Sequence, residues 1–273
     1  MKALRLKAVK ALPEGQGYFL MATADDRQVL AADKVIVDRQ DGICRRKIGV
    51  SLMSGCGIKC IYCFTNRFAD YRPLTTQEIV EQVDYITARG IHASRSDIQE
   101  TKISMKQMGD PLLNPDNTLM AIEELNRKYP GLQFVVSTSG PKENAWFYSK
   151  LGAQALSGVR IRLQFSCHTT DDDRRNFLSP QRPMMSLKEI AQVVNTWPGD
   201  KVTLNFVILD GFAFNPLVLK ELFLPEKIFI KLNHLDDNRY IQQRGLSVLP
   251  KAQVIGFANT LQQLGIAYAH RNN

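Results

Sequence analysis

From Ile48 onward the chain alternates short runs of apolar and β-branched residues with longer stretches whose apolar positions recur at helical spacing. That is the pattern of strand–helix units on a parallel sheet. Six strands are expected, at 48–53, 102–108, 133–138, 159–165, 201–208 and 227–232. The helices between them carry start and stop signals. Thr75-Thr76-Gln77-Glu78 reads as a capping box before Ile79, Val80, Val83 and Ile86, with Gly90 as the stop. Ser186-Leu187-Lys188-Glu189 repeats the device before Ile190, Val193 and Val194. In a last helix from Lys251 to Leu264, Val254, Ile255, Ala258 and Leu261 precede a capping Gly265. Six such units with right-handed crossovers curl into a partial barrel, an α/β, TIM-like (βα)6 fold with its chemistry in the loops at the C-terminal strand ends.

The first part of the chain differs. Segments 18–23 and 34–37 look like short strands between polar turns, which suggests a small N-terminal β extension over residues 1–45 beside a main barrel domain over residues 46–273. Hydrophobic residues at 44% and charged residues at 23% describe an ordinary folded protein and exclude extensive disorder. No run approaches the roughly 20 apolar residues of a membrane span, and the first residues lack the apolar core of a signal peptide. A cytoplasmic protein with no membrane partner is therefore expected. The net charge of +8 favours phosphate-bearing partners, although the Lys and Arg residues are spread along the whole chain, as on a generally basic surface. Lys231, Arg239, Arg244, Arg45, Arg46 and Lys47 are candidates for a phosphate-facing rim around the barrel mouth.

Cysteine usage changes the picture more than charge does. Of five cysteines, Cys56, Cys60 and Cys63 are crowded into Cys-x3-Cys-x2-Cys directly after the first expected barrel strand, while Cys44 and Cys167 stand apart. In a reducing compartment such crowding points to metal ligation rather than disulfides. Three thiolates in one loop hold three irons of a cubane cluster and leave the fourth open to a cofactor or substrate. Zinc is the alternative, but a structural zinc needs a fourth ligand, and neither Cys44 nor His92 stands at a recognisable spacing from the three.

The spacing, with aromatic Tyr62 before the last cysteine, resembles the signature of the radical S-adenosylmethionine (radical SAM) superfamily. Further landmarks resemble the ribosomal and transfer RNA adenine methyltransferases of the RlmN/Cfr family: Gln107 to Asn114 with Gly109-Asp110-Pro111, Val136-Ser137-Thr138-Ser139-Gly140, Ser166-Cys167-His168 followed by Asp172 and Arg175, Phe206 to Gly211, and Phe229 to Asn233. They occur in the family's order over most of the chain. The resemblance implies a radical SAM core barrel, with a four-iron, four-sulfur (4Fe-4S) cluster on Cys56, Cys60 and Cys63 and S-adenosyl-L-methionine on the open iron. It places Gly109 and Asp110 at the methionine amino end, Asp110 standing where the family has a longer Glu. Ser137, Ser166 and His168 would line the cofactor, with Asn233 matching the family's cofactor-binding Asn and His234 competing for that place. Asp33 takes the position of an acidic residue in the family's N-terminal β segment. A reductase such as flavodoxin or ferredoxin is the implied electron donor, and RNA a possible substrate.

The likeness fails where the family's methyl transfer happens. Its enzymes use a cysteine seven residues before the first cluster cysteine, where this chain has Gly49, and a methyl-carrying cysteine near the C-terminus, beyond the point where this sequence ends at Asn273. The residues upstream of the barrel are also too few for the helical RNA-binding domain of the RlmN branch. Cys44 and Cys167 are poor replacements by position. The expected activity is thus reductive cleavage of S-adenosyl-L-methionine to a 5′-deoxyadenosyl radical that abstracts hydrogen from an unidentified substrate, without the methylated-cysteine route. RNA modification by a variant mechanism is a second expectation, and a non-catalytic cofactor sensor or RNA-binding protein a third.

Overall fold

The computed structural model describes residues 3–12, 15–37, 42–233 and 239–271. Three strands come first, β1 (Leu4–Leu12), β2 (Gln16–Thr23) and β3 (Gln28–Val37), paired antiparallel, and β3 pairs antiparallel with β4 (Cys44–Val50). Then follow α1 (Thr76–Arg89), β5 (Glu100–Met105), α2 (Pro115–Lys128), β6 (Gln133–Thr138), α3 (Trp146–Leu156) and β7 (Arg160–Ser166). The second half runs α4 (Asp172–Leu178), α5 (Leu187–Asn195), β8 (Val202–Val207), α6 (Pro216–Leu222), β9 (Ile228–Asn233), α7 (Arg239–Gln242), α8 (Lys251–Gln263) and β10 (Tyr268–Arg271). Strands β4 to β10 pair in parallel and in chain order within one ten-stranded sheet, whose ends, β1 and β10, are not bonded to each other. The result is a partial barrel of six strand–helix units and a closing strand.

Alternation along the parallel strands decides which face is which. Ile48 and Val50, Ile103 and Met105, Phe134 and Val136, Leu163 and Phe165, Leu204 and Phe206, and Ile230 and Leu232 are all 0% exposed. They share one core with Ile79 and Ile86 of α1, Leu125 of α2, Leu151 of α3, Ile190 of α5 and Leu261 of α8, so this set faces the helices. The residues between them, such as Lys47, Lys102, Arg162, Gln164 and Asn205, point to the opposite, concave face. Closed barrels of this class fill their interior with branched apolar side chains. Here the interior is mostly polar, which makes it a lumen instead of a second core.

All six expected strands and the expected helices are present. Thr75 and Ser186 both form reciprocal capping boxes, with Glu78 and Glu189 as partners, and Gly265 takes the positive φ of +70° that lets α8 end. The first barrel strand lies at Cys44–Val50, further toward the N-terminus than 48–53. Arg45, Arg46 and Lys47 lie within it, and Arg46 is neutralised by Asp33 on the neighbouring strand, Nε and Nη2 each lying 2.9 Å from a carboxylate oxygen. The N-terminal strands are longer than expected, and β1 and β10 lie outside the expected set. Both are edge strands: β1 forms a hairpin with β2, from Leu12 opposite Gln16 to Leu4 opposite Thr23, and β10 pairs with residues of β9 that are distant in sequence, such as Tyr268 with Ile230. No helix among the described residues is long and apolar enough to cross a membrane.

Candidate cluster and cofactor site

The loop from β4 to α1 carries the three crowded cysteines at the C-terminal end of the parallel strands. Backbone bonds tie its base to the next strand end, with Leu52 N–H and Met53 N–H both donating to Met108 O, at 2.8 and 3.2 Å. Its return leg is held by Leu74 N–H on Leu52 O and by Asn114, whose Nδ2 donates to Leu52 O at 2.8 Å and Leu74 O at 2.7 Å. Its far side is pinned by Ile61 N–H on Leu178 O at the end of α4. Gly55 is required there, since a Cβ would stand 2.7 Å from Tyr71 Cβ.

Within the loop Cys60 is buried with Ile58 and Met184, and Cys56, Tyr62, Cys63 and Leu113 pack against them. Burial pushes the Cys56 thiol up to about 12, with the nearby Cys60 and Cys63 contributing. Burial likewise raises Cys60, against the opposing hydrogen bond of the Ser179 hydroxyl, 3.3 Å away. The Thr65 hydroxyl lies 3.0 Å from Cys63 Sγ. Three soft donors in a largely apolar shell, two with hydroxyls at the sulfur, suit an iron–sulfur cluster, whose binding displaces the thiol protons. Among the described residues no three His, Cys, Asp or Glu side chains gather around one ion position, as a zinc would ask. A cubane takes one cysteine per iron and does not need that convergence.

The other expected site residues stand at successive strand ends. Gly109 follows β5 with φ +91°, and a Cβ there would be 2.5 Å from Met53 Cγ, so the close approach of the cysteine loop demands glycine. Asp110 is buried, and its carboxylate accepts from Leu112 N–H at 3.1 Å, Ser139 N–H at 2.7 Å and the Thr138 hydroxyl at 2.9 Å. Burial pushes its carboxyl up to about 6, in part offset by the Ser139 and Leu112 N–H groups. Asp110 thus fastens the end of β5 to the end of β6. Ser137, Ser166 and Asn233 share the concave face by register, through Ser137–Gln164, Ser166–Asn205, Asn205–Lys231 and Val207–Asn233. Ser137 Oγ is buried without a hydrogen-bond partner, an orphan that a bound molecule in the lumen would satisfy. Asn233 Nδ2 reaches only the Lys231 carbonyl, at 3.5 Å. His234 lies outside the described residues.

His168 follows β7 with φ +63°, a left-handed conformation for a non-glycine residue. Its Nδ1 accepts from Val207 N–H at 3.3 Å, which leaves the proton on Nε2, 2.7 Å from the Tyr62 hydroxyl oxygen. Burial, then the charge of Arg175, pushes its pKa down to about 3, so the ring is neutral at pH 7. Tyr62, accepting from His168, also opposes the rise of the Cys60 thiol. Arg175 is the clamp behind these loops, donating to the carbonyls of Cys167, Ser139 and Met185.

Several of these groups were invisible to sequence reasoning. Ser179 comes from a different loop, and Thr138 is distinguished from Ser137 only by the face that alternation assigns it. Gln107 lays its amide against Gly49, where an added Cβ would meet Nε2 at 2.2 Å. Cys44 stands at the opposite end of β4 beside Asp97, and Cys167 is fully buried with its thiol pushed up to about 11 by burial. Neither is near the place of Gly49. Asp33 is 0% exposed and serves Arg46 and the His92 N–H, on the helix-facing side. The proposed rim is not one surface: Arg45, Arg46 and Lys47 lie at the N-terminal part of β4 and Lys231 near the C-terminal end of β9. Arg46 is buried, and the side chain of Arg239 lies outside the described residues.

A family model described as the Radical SAM superfamily matches residues 50–214. Among curated proteins the chain is 30% identical over 201 residues to a probable dual-specificity RNA methyltransferase RlmN of Chlorobium phaeobacteroides (strain BS1), covering 71% of this chain and 52% of that protein. It is 29% identical over 196 residues to the protein of the same name from Thermotoga petrophila, covering 67% and 53%. The chain thus spans about half the length of the curated relatives it matches. A crystal structure of a radical SAM methyltransferase from Sphaerobacter thermophilus superposes with a TM-score of 0.77 at 22% identity, over 99% of this chain and 77% of that one.

Proposed function

The chain belongs to the radical S-adenosylmethionine superfamily, and on that premise we propose that it is an enzyme that cleaves S-adenosyl-L-methionine reductively and uses the product to abstract hydrogen from a substrate held in the polar lumen. Cys56, Cys60 and Cys63 would hold the cluster and leave one iron open. When bound, the reduced cluster supplies the electron that breaks the cofactor's sulfonium bond to give a 5′-deoxyadenosyl radical. The chain's own contribution is placement. Gly109 lets the strand end approach the cysteine loop, Asp110 and Arg175 lock neighbouring strand ends together, and Ser137, Ser166 and Asn233 offer polar groups into the lumen. His168 holds the Tyr62 hydroxyl, and Ile58, Met184 and Leu113 form an apolar shell around buried Cys60. An electron donor of the flavodoxin or ferredoxin type and a cytoplasmic setting belong to the same proposal.

The observation that carries it is the placement of Cys56, Cys60 and Cys63 in one largely buried loop after β4, packed together with Ile58 and Met184, with the orphaned Ser137 hydroxyl at the C-terminal end of β6 in the same sheet. The family's methylated-cysteine route is not part of it: position 49 is glycine, and the Gln107 amide occupies the space a thiol would need. RNA modification by another mechanism is the second reading, favoured by the names of the curated relatives and the net charge of +8. The test is anaerobic reconstitution with iron and sulfide, reduction with S-adenosyl-L-methionine present, and quantification of 5′-deoxyadenosine against a variant with all three cysteines changed to alanine. Product above that control supports the enzyme. A loaded protein that binds cofactor and yields none favours a sensor.

A further inference from the structure

Parallel register groups the concave side chains into rungs. Lys47, Lys102, Gln133 and Arg160 are paired neighbours on β4, β5, β6 and β7. One rung nearer the cysteine loop stand Gly49, Ser104, Val135 and Arg162, and one rung further away Arg45 and Glu100. Adjacent strands lie about 4.8 Å apart, and same-face rungs nearly 7 Å apart, so these long side chains rise from neighbouring positions on one face. Like charges directly opposite on paired strands destabilise a sheet, yet Lys47 faces Lys102. The Lys102 side chain is only 14% exposed, and burial, then Arg162, then Arg45 and Arg160, disfavour its charge, with Glu100 opposing them. Glu100 is shared three ways, 2.8 Å from Arg45 and 3.9 Å from both Lys102 and Arg160. Above this rung, Ser104 carries little side-chain bulk, and the Gln107 amide lies against Gly49. Beside Lys102, Gln133 is 7% exposed, and its Oε1 is buried without a hydrogen-bond partner.

We infer that this patch, in the lumen on the side away from the cysteine loop, binds a terminal phosphate, with Lys47, Lys102 and Arg162 holding its anionic oxygens and Gln133 Oε1 accepting from its P–OH. Lys102 and Arg162 together outweigh the shared Glu100 and favour an anion, and the orphan acceptor favours one that still carries a proton. A phosphomonoester or free phosphate in its monoanionic form meets both demands. A sulfate or a backbone phosphodiester has no such proton. The site deepens the functional proposal by naming the chemical class of the substrate, a phosphomonoester whose anionic end sits on the side of the lumen away from the cysteine loop, directing the rest of the molecule toward that loop.

Phosphate binding is measured by calorimetry on the cluster-loaded protein, with inorganic phosphate as the probe. Iron and sulfide content and 5′-deoxyadenosine yield are recorded in parallel, so that failure of the anion site and failure of the cluster reading show separately. The expected result is saturable binding that weakens roughly tenfold or more in Lys102→Met and in Arg162→Gln. Phosphate should bind more tightly than sulfate near pH 6, a preference that Gln133→Leu removes. Arg162 is exposed, so Arg162→Gln tests the site even where the change at half-buried Lys102 disturbs folding. No saturable phosphate binding, or binding unchanged by Arg162→Gln, overturns the site. Sulfate bound as tightly as phosphate, or a 5′-hydroxyl oligoribonucleotide competing as well as phosphate, overturns the monoester assignment.

Discussion

Replacing Asp33 by Asn tests whether this buried acid supports the fold or takes part in the chemistry. Asp33 is fully buried and accepts from Arg46 Nε at 2.9 Å, Arg46 Nη2 at 2.9 Å and His92 N–H at 3.2 Å, while the same Nη2 donates to Ile86 O in the last turn of α1. Asparagine keeps one acceptor oxygen and sets an amide NH2 against the guanidinium, leaving a buried cation without its counter-charge. Breaking a buried pair from one side costs about 3 to 5 kcal/mol. Replacing both partners by apolar residues of similar volume, Asp33→Leu with Arg46→Met, removes both charges together and should recover all but about 1 to 2 kcal/mol of that loss. Urea unfolding of parent, single and double variants measures the cycle. Cluster loading and 5′-deoxyadenosine yield per folded molecule should remain at the parent's level, because the pair lies on the helix-facing side. A single variant within about 1 kcal/mol of the parent, or one of parental stability that no longer turns over, would refute the reasoning.

The buried, neutral His168 makes stability depend on pH. With its pKa lowered to about 3 from the ordinary 6.5, the unfolded chain takes up the proton first, so stability is full above pH 6.5 and falls as the pH drops below it. Between pH 7 and 5 the loss should be about 2 kcal/mol, read as the difference between the unfolding profiles of the parent and His168→Gln; equal slopes count against it. Tyr62→Phe removes the hydroxyl that His168 holds and that opposes the rise of the Cys60 thiol, and should lower the midpoint potential of the loaded cluster, followed by an EPR-monitored redox titration; an unchanged potential would show that this hydroxyl does not act on the sulfur. Gly49→Cys forces Gln107 aside, given the 2.2 Å approach, and should cost about 1 to 3 kcal/mol. Adding Gln107→Ala should restore most of that in denaturant unfolding, and a Gly49→Cys variant as stable as the parent would falsify the assigned overlap.

What could be read from the sequence was local. The capping boxes at Thr75 and Ser186, the Gly265 stop and the three-cysteine loop each lie within a few residues of chain, and the structure contains them as expected. The groups that complete the site are non-local. Tyr62 meets His168 across 106 positions, and Cys60 meets Ser179 across 119. No spacing rule reaches that far. The first barrel strand likewise takes in three consecutive cations whose acids come from elsewhere in the chain, Asp33 meeting Arg46 and Glu100 meeting Arg45. Alternation did hold the key to the lumen: once the register is known, Lys47, Lys102, Gln133 and Arg162 fall on one face. In sequence they are separated by helices, and nothing marks them as companions.

The central claim is that Cys56, Cys60 and Cys63 hold a cluster with one iron left for S-adenosyl-L-methionine. Mössbauer spectra of protein reconstituted with iron-57, taken with and without the cofactor, address it directly. The account predicts that one iron in four changes its isomer shift on cofactor addition while the three cysteine-bound irons do not. Four irons that stay equivalent, or a protein that loads no cluster while its fold is intact, would contradict it.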